Sequence, residues 1–220
     1  MPIPPYDPRS GPHSKSLPDA NQSDPVILLT GYEPFGGAAI NPSWEAVRGY
    51  DRTVWHGYQL VAAQLPVIWG APLPALQKRM AALQPVAVFS FGQGKPDGFH
   101  LETLARRERG SAADNDGKKA VDLRIADGPA QYDSTDRVRK IHQALAAQGY
   151  PIVLSHDAGQ YLCEECLYSL EYLRATAFKT THVQFCHVPS LGLCIGPNRT
   201  EVTLEYLVRF VADVLEAWRK

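Results

Sequence analysis

Residues 157–164 read Asp157-Ala158-Gly159-Gln160-Tyr161-Leu162-Cys163-Glu164 and separate two segments of different periodicity. Before them, residues 151–155 form a short apolar run rich in β-branched side chains, which is typical of a buried strand. After them, apolar residues recur at helical spacing between positions 166 and 173. This stretch therefore predicts a strand, a turn and a helix whose first residues include Cys163.

Cys163 is the candidate nucleophile because of this position. Unpaired backbone N–H groups and the positive end of the helix dipole favour an anion at a helix N-terminus, and the thiolate is the nucleophilic form of cysteine. A base is also required, and the segment Phe185-Cys186-His187-Val188-Pro189 offers His187 at the end of a later apolar strand. Cysteine and histidine at strand ends are the pair that nucleophilic acyl transfer uses.

Length and composition exclude several classes of protein. The chain has 220 residues and a net charge of -1, which suits one domain with a tail. No run of Lys and Arg exceeds two residues, so we expect no nucleic-acid partner. The first residues contain no apolar run, so we expect no signal peptide, no membrane anchor and a cytoplasmic location. The four cysteines are expected to be free thiols.

Strands and helices alternate along the rest of the chain, which indicates an α/β layered fold. Residues 1–24 hold six prolines and are expected to form a flexible tail before a domain spanning 25–220. The predicted strands are 26–29, 58–67, 86–91, 99–105, 151–155 and 181–188. Two of the predicted helices begin at 41–43 and near 163. Three more span 74–83, 134–147 and 201–220. Residues 106–129 are polar and are expected to form a long mobile excursion.

Three segments resemble the pyroglutamyl-peptidase I family, also called pyrrolidone-carboxylate peptidases. They are residues 28–37 with 41–47, residues 155–163, and residues 185–189, and their order and spacing also fit. The resemblance runs from about residue 26 to the C-terminus. It implies a single-domain three-layer α/β/α sandwich with a central mixed, mostly parallel sheet. It also implies a cytosolic cysteine peptidase that removes an N-terminal pyroglutamyl residue from peptides, needs no cofactor or metal, and forms a homo-oligomer.

The resemblance also implies a Cys-His-Glu triad. Cys163 and His187 match the family's nucleophile and histidine segments. The family has a glutamate about ten residues after a Gly-Gln pair, and Glu102 follows Gly92-Gln93 in this way. Aromatic faces and lactam-binding groups are expected around the pyroglutamyl ring, although the aromatic residues of the glycine-rich loop could equally be core residues. The candidate substrate-binding residues are Tyr32, Phe35, Asn41, Gln93 and Tyr161.

The segment before Glu102 departs from the family pattern. Gly-Gln-Ala-Gly-Gly-Arg is replaced here by Gly92-Gln93-Gly94-Lys95-Pro96-Asp97. A family arginine about ten residues beyond the glutamate has no aligned partner, and Arg109 is the nearest substitute. We expect backbone N–H groups at the Cys163 turn, with an N–H or arginine from residues 93–109, to bind the oxyanion.

Two alternatives stay open at this stage. Cys163-Glu164-Glu165-Cys166 has a redox and zinc spacing, with Cys186, His187 or Cys194 as further ligands. Against this, the motif comes late in the chain, and two acidic residues between the cysteines disfavour the thiolate. The other alternative is a binding protein of the same fold that has lost its chemistry through the altered segment at 94–97.

Overall fold

The computed structural model describes residues 24–134 and 137–220. In these ranges the strands are β1 Val26–Tyr32, β2 Thr53–Trp55, β3 Tyr58–Leu65, β4 Ala87–Gln93, β5 Phe99–Glu102, β6 Leu104–Arg106, β7 Gln131–Asp133, β8 Ile152–Ser155, β9 His182–Val188, β10 Cys194–Ile195 and β11 Thr200–Glu201. The helices are α1 Pro42–Arg48, α2 Pro72–Leu83, α3 Arg137–Ala147, α4 Leu162–Thr176 and α5 Leu204–Arg219. All but Asp24 of the predicted tail lies outside the described residues.

A seven-stranded sheet organises this part of the chain, in the order β2-β3-β1-β4-β9-β5-β8. The pairs β1–β3, β1–β4, β4–β9 and β5–β8 are parallel, whereas β2–β3 and β5–β9 are antiparallel. The prediction of a mixed, mostly parallel sheet is therefore confirmed. The central strands are apolar on both faces because both faces are covered: Ile27 and Leu29 enter one core, and Leu28 enters the other.

Helices cover the two faces of this sheet and give the predicted three layers. Helix α5 packs against α1 and α3 on one face, and α2 packs against α4 on the other. The apolar stripe of α5 packs on the sheet, since Phe210, Val214 and Trp218 are all buried in the first core. The Thr203 side chain caps this helix by accepting a hydrogen bond from the Tyr206 N–H at 3.1 Å.

The predicted strand over residues 99–105 is interrupted at Thr103. The Thr103 N–H donates to the Ser155 carbonyl at 2.7 Å, and the Thr103 carbonyl accepts from the Ser134 N–H at 2.9 Å. Strand β5 therefore stays in the main sheet, whereas β6 leaves it and pairs with β7. The short strands β2, β7, β10 and β11 have too few residues to show a period of two, and the sequence did not predict them.

Residues 106–129 do not form the loose excursion that their polarity suggested. The Ile125 N–H donates to the Arg107 carbonyl at 3.0 Å, and the Arg109 N–H donates to the Leu123 carbonyl at 2.8 Å. The Asp114 carboxylate accepts backbone N–H groups from Trp69, Asp116 and Lys118. The segment is polar because its side chains bind its own backbone and the turn after β3. None of the helices in the described ranges is long and apolar enough to cross a bilayer.

Candidate active site

Side chains alternate between the two faces of the sheet along β9, and this alternation determines the face on which His187 lies. Cys186 and Val188 enter the core under α5, whereas Val183 and Phe185 enter the core under α4. His187 shares the parity of Val183 and Phe185, so its ring lies on the α4 face. Its side chain is buried, with 7% of the residue exposed.

Glu102 reaches His187 through the antiparallel pairing of β5 with β9. His100 lies directly opposite His187 in this register, which places Glu102 diagonally across the pair on the same face. Nδ1 of His187 donates to Oε1 of Glu102 at 2.8 Å. Glu102 is only 1% exposed, so this contact is shielded from water. A carboxylate in this position orients the imidazole and stabilises its protonated form.

Cys163 is the second residue of α4, as predicted, and its side chain is half-buried. The sulfur lies directly against the backbone of β4, since a Cβ atom on Gly92 would come within 2.8 Å of Sγ. A Cβ atom on Gly94 would likewise come within 2.5 Å of the His187 Cβ. The two glycines therefore leave the space that the thiol and the imidazole occupy.

Charge couples the cysteine to the histidine. Burial alone lowers the pKa of His187, but this effect is outweighed by the Cys163 thiolate, through its charge and a hydrogen bond, and by the Glu102 carboxylate. Together they raise the pKa of His187 to about 10. A protonated His187 is thus favoured beside the Cys163 sulfur, and an imidazolium next to a thiolate is the activated state of a cysteine nucleophile.

A cavity of about 310 Å³ opens beside this pair. All eight residues singled out from the sequence line it: Cys163, His187, Glu102, Tyr32, Phe35, Asn41, Gln93 and Tyr161. The sequence did not single out Val67, Lys95, His100 or Asp157, which also line it. His100 could have been found only from the β5–β9 register, because nothing local marks it.

The aromatic residues of the cavity differ in how exposed they are. Tyr32 is 2% exposed and donates its hydroxyl to the Leu162 carbonyl at 2.7 Å, so it ties β1 to the start of α4. Phe35 is half-buried and its ring centroid lies 6.3 Å from that of Tyr161. Trp69 packs edge-on against Tyr161, with the two ring centroids 5.3 Å apart. Phe35 and Tyr161 are therefore the aromatic faces available to a ligand, with Trp69 fixing Tyr161.

The two amide side chains are largely committed to protein partners. Asn41 caps α1: its Oδ1 accepts the Ser43 N–H at 3.0 Å, and its Nδ2 donates to the Glu33 carbonyl at 3.0 Å. Gln93 donates Nε2 to the Ser190 hydroxyl at 2.7 Å. Asn41 thus shapes the cavity as part of the loop after β1, and Gln93 offers its backbone at the end of β4.

Comparison with known proteins identifies the family. A family model described as pyroglutamyl peptidase matches residues 26–213. The chain belongs to the pyroglutamyl peptidase family. A pyrrolidone-carboxylate peptidase from Cupriavidus taiwanensis is 35% identical over 191 residues, which cover 84% of this chain and 88% of that protein. A pyrrolidone-carboxylate peptidase 1 from Ralstonia nicotianae is 36% identical over 172 residues, covering 76% of this chain and 79% of that protein.

Solved structures of the pyroglutamyl peptidase family share this fold. A mutant pyrrolidone carboxyl peptidase from Pyrococcus furiosus superposes with a TM-score of 0.79 at 27% identity, covering 88% of this chain and 98% of that one. Pyroglutamyl peptidase I from Bacillus amyloliquefaciens gives a TM-score of 0.79 at 25% identity, covering 89% and 98%. The fold and family expected from the sequence are thereby confirmed.

Arg109, the nearest substitute for the family arginine, is not placed to bind the oxyanion. Its guanidinium forms a bidentate pair with the buried Glu165, with Nε–Oε2 at 2.8 Å and Nη2–Oε1 at 2.7 Å. Its Nη1 donates to the carbonyls of Asp122 and Arg124, and Arg109 does not line the cavity. This expectation from the sequence is wrong, because Arg109 neutralises an acidic residue in the first turn of α4.

The same pair changes the interpretation of the acidic residues between the two cysteines. Glu165 has Arg109 as its counter-ion, and the Glu164 Oε1 accepts the Arg106 backbone N–H at 2.6 Å. Each of the two carboxylates therefore has a partner of its own beside the first turn of α4.

The positions of the cysteine side chains bear on the zinc and redox alternatives for Cys163-Glu164-Glu165-Cys166. Cys166 is fully buried with its Sγ 3.2 Å from the Ser90 hydroxyl, and burial raises its pKa to about 12. Cys186 enters the core on the opposite face of the sheet, and Cys194 is exposed on β10. In residues 24–134 and 137–220 no group of three or more His, Cys, Asp or Glu side chains is placed to hold a metal ion.

Proposed function

We propose that the protein is a cysteine exopeptidase that hydrolyses the amide bond after an N-terminal pyroglutamyl (5-oxoprolyl) residue of peptides. The observation that carries the proposal is the meeting of Cys163, His187 and Glu102 at one cavity. The proposal is supported by membership of the pyroglutamyl peptidase family and by relatives named pyrrolidone-carboxylate peptidase.

In the first step, His187 holds the proton of Cys163 and the thiolate attacks the pyroglutamyl carbonyl carbon. A carbon–sulfur bond forms, and the carbonyl electrons move onto oxygen. The His187 imidazolium then gives its proton to the leaving amine as the carbon–nitrogen bond breaks. The shortened peptide leaves, and a pyroglutamyl thioester remains on Cys163.

In the second step, neutral His187 removes a proton from water, and the resulting hydroxide attacks the thioester. The carbon–sulfur bond breaks, pyroglutamic acid leaves and gives its carboxyl proton to solvent, and the thiolate–imidazolium pair is restored. Glu102 fixes the imidazole through Nδ1 throughout, which leaves Nε2 for the thiol, the amine and water.

The oxyanion formed in both steps needs hydrogen-bond donors. The N-terminus of α4, where Cys163 is the second residue, presents backbone N–H groups that lack helical acceptors. We assign the oxyanion site to these groups, helped by the helix dipole. Losing one donor of this kind typically costs about a hundredfold to a thousandfold in kcat.

The cavity is proposed to select the pyroglutamyl ring as a flat, uncharged lactam. Phe35 and Tyr161 offer aromatic faces, and Tyr32 closes the base beside Cys163. The Gln93 backbone and the loop held by Asn41 are the candidates for binding the lactam N–H and C=O. Sites that bind a polar group of the substrate reject analogues without it by about 10⁴ to 10⁵, because buried polar groups are left unpaired.

The test is hydrolysis of pyroglutamyl-amide, prolyl-amide and glutamyl-amide reporters by the purified protein. We expect kcat/KM on the pyroglutamyl reporter to exceed that on the other two by at least about a thousandfold. This minimum lies below the usual range for rejection of analogues that lack a polar group. Comparable kcat/KM on the prolyl reporter would mean that the cavity recognises ring shape alone. Pyroglutamyl binding without turnover would instead support a binding protein of the same fold.

The proposal includes a cytoplasmic homo-oligomer that works without metal or cofactor and has no nucleic-acid or membrane partner. These points follow the family resemblance. Light scattering on the purified protein measures the oligomer. Dialysis against EDTA tests the metal: we expect kcat to be unchanged, and activity restored only by added zinc would favour the zinc alternative.

A further inference from the structure

Cys163 and Cys166 are neighbours on one face of α4. They are three residues apart, a spacing at which side chains on a helix have Cβ atoms about 5–6 Å apart. The strand beneath gives an independent measure of their positions: Cys166 lies on Ser90, with sulfur and hydroxyl 3.2 Å apart, and Cys163 lies on Gly92. Ser90 and Gly92 are two residues apart in β4 and face the same side, so the two sulfurs lie side by side.

Tyr32 gives a third indication that the two sulfurs are close. Its pKa is raised first by burial, and then by the charges of Cys166 and Cys163. Both thiols therefore lie near one buried hydroxyl. A disulfide needs Cβ atoms about 3.5–4.5 Å apart, so the first turn of α4 must tighten by about 1–2 Å. A 3₁₀ turn does this, since it brings side chains at i and i+3 into line.

The two cysteines differ in access. Cys163 lines the cavity, whereas Cys166 has no exposed surface. A small oxidant thus meets Cys163 first, with Cys166 behind it. An accessible thiolate beside a second, resolving cysteine is the arrangement that protects a thiol from irreversible oxidation. Neither step of peptide hydrolysis uses Cys166.

We propose that Cys163 and Cys166 form a reversible oxidation site that takes a hydroperoxide and stores the nucleophile as an intrahelical disulfide. The inference goes beyond the proposed hydrolysis and requires only that Cys163 be the reactive thiol. Oxidation stops peptide cleavage, and a thiol reductant restores it.

The chemistry balances with the hydroperoxide as oxidant. The Cys163 thiolate attacks the terminal oxygen, the O–O bond breaks, and the departing alkoxide or hydroxide takes the proton of the His187 imidazolium. This leaves a sulfenic acid on Cys163. The Cys166 sulfur then attacks the Cys163 sulfur, the S–O bond breaks, and hydroxide leaves as water with the Cys166 proton. The two thiols together lose two electrons. Hydrogen peroxide is reduced to two molecules of water, and an organic hydroperoxide is reduced to an alcohol and water.

The experiment treats the full chain with hydrogen peroxide, blocks free thiols by alkylation, and maps peptides without reduction. For the wild type we expect a Cys163–Cys166 linkage with the mass loss of two hydrogens. We also expect activity to be lost with peroxide and to return with dithiothreitol. The linkage is read by mass alone, so it can be found or excluded even if the chain fails to hydrolyse pyroglutamyl amides.

Two variants sharpen the test. In Cys166→Ser we expect peroxide to convert Cys163 to sulfinic acid, with an activity loss that dithiothreitol does not reverse. Cys194→Ser removes an exposed thiol outside the pair and should behave as the wild type. If Cys166→Ser does not fold, the wild-type map still decides. The proposal is overturned if wild-type Cys163 becomes sulfinic acid while Cys166 stays a free thiol, or if Cys163 links to Cys186 or Cys194.

Discussion

Oε1 of Glu102 lies 2.8 Å from Nδ1 of His187, in a contact that joins two strands running in opposite directions. The bond fixes the imidazole by its inner nitrogen and leaves the outer nitrogen facing the cavity. It also holds a negative charge against the ring, and this charge is one of the causes of the raised pKa of His187.

Glu102→Gln should lower kcat and shift the alkaline limb of activity. By analogy with other nucleophile–histidine–carboxylate triads, we expect a loss of about a hundredfold to ten-thousandfold. The Glu102 charge raises the pKa of His187, so its removal lowers that pKa, and the imidazolium needed to protonate the amine is lost at a lower pH. The profile of kcat/KM against pH measures this shift. Glu201→Gln, on an exposed residue of β11, is the control, and an unmoved alkaline limb in Glu102→Gln contradicts the assigned role.

Gly92→Ala should impair catalysis while the fold is kept. The new methyl group would lie 2.8 Å from the Cys163 Sγ and 2.9 Å from the Phe185 ring, so the thiol must shift from its present position. A displacement of about 1 Å can cost roughly a hundredfold in kcat. Gly49→Ala is the matched control, because nothing lies within 4 Å of its Cβ position. Equal kcat for both variants would show that β4 does not set the position of the thiol.

Arg109→Met should destabilise the fold strongly, because it leaves the Glu165 carboxylate buried without its counter-ion. Breaking a buried pair in this way costs about 3–5 kcal/mol in free energy of unfolding. The pair Arg48–Glu45, whose arginine is exposed and whose glutamate is partly exposed, gives the control, for which Arg48→Met should cost less than about 1 kcal/mol. Urea unfolding measures both. In the double variant Arg109→Met with Glu165→Gln, most of the lost stability should return; no recovery would mean that packing, and not charge, explains the loss.

Glu164 should make the free energy of unfolding fall as the pH rises towards neutrality. Burial raises its pKa to about 7, despite the opposing Arg106 backbone N–H and side-chain charge. Its Oε2 is buried with no hydrogen-bond partner in the described ranges. The folded state therefore holds the proton to a higher pH than the unfolded chain, so the free energy of unfolding decreases between about pH 4.5 and pH 7. Glu164→Gln should flatten this decrease in urea titrations; parallel curves for the two proteins would exclude Glu164 as its source.

The sequence predicted the parts of the site that depend on local pattern. Cys163 follows from a strand, a turn and a helical period, and His187 follows from its place at the end of a later apolar strand. The contact of Glu102 with His187 depends on the antiparallel register of β5 with β9, which no local period encodes. Only the family resemblance pointed to this glutamate.

Arg109 shows the limit of alignment without coordinates. Its position along the chain suggested an oxyanion donor, but the partner that determines its role, Glu165, is 56 residues away and buried. The prediction of a loose excursion over residues 106–129 failed for a similar reason. Its polar residues satisfy its own backbone and the turn after β3, and composition alone cannot distinguish such contacts from exposure to solvent.

The central claim is that Cys163 is the nucleophile of a pyroglutamyl peptidase. The most direct measurement is hydrolysis of a pyroglutamyl-amide reporter by the wild type, by Cys163→Ala and by Cys194→Ser, each checked for folding by urea unfolding. We expect Cys163→Ala to fold as the wild type and to show no turnover above background, with Cys194→Ser fully active. Turnover retained in Cys163→Ala would contradict the account.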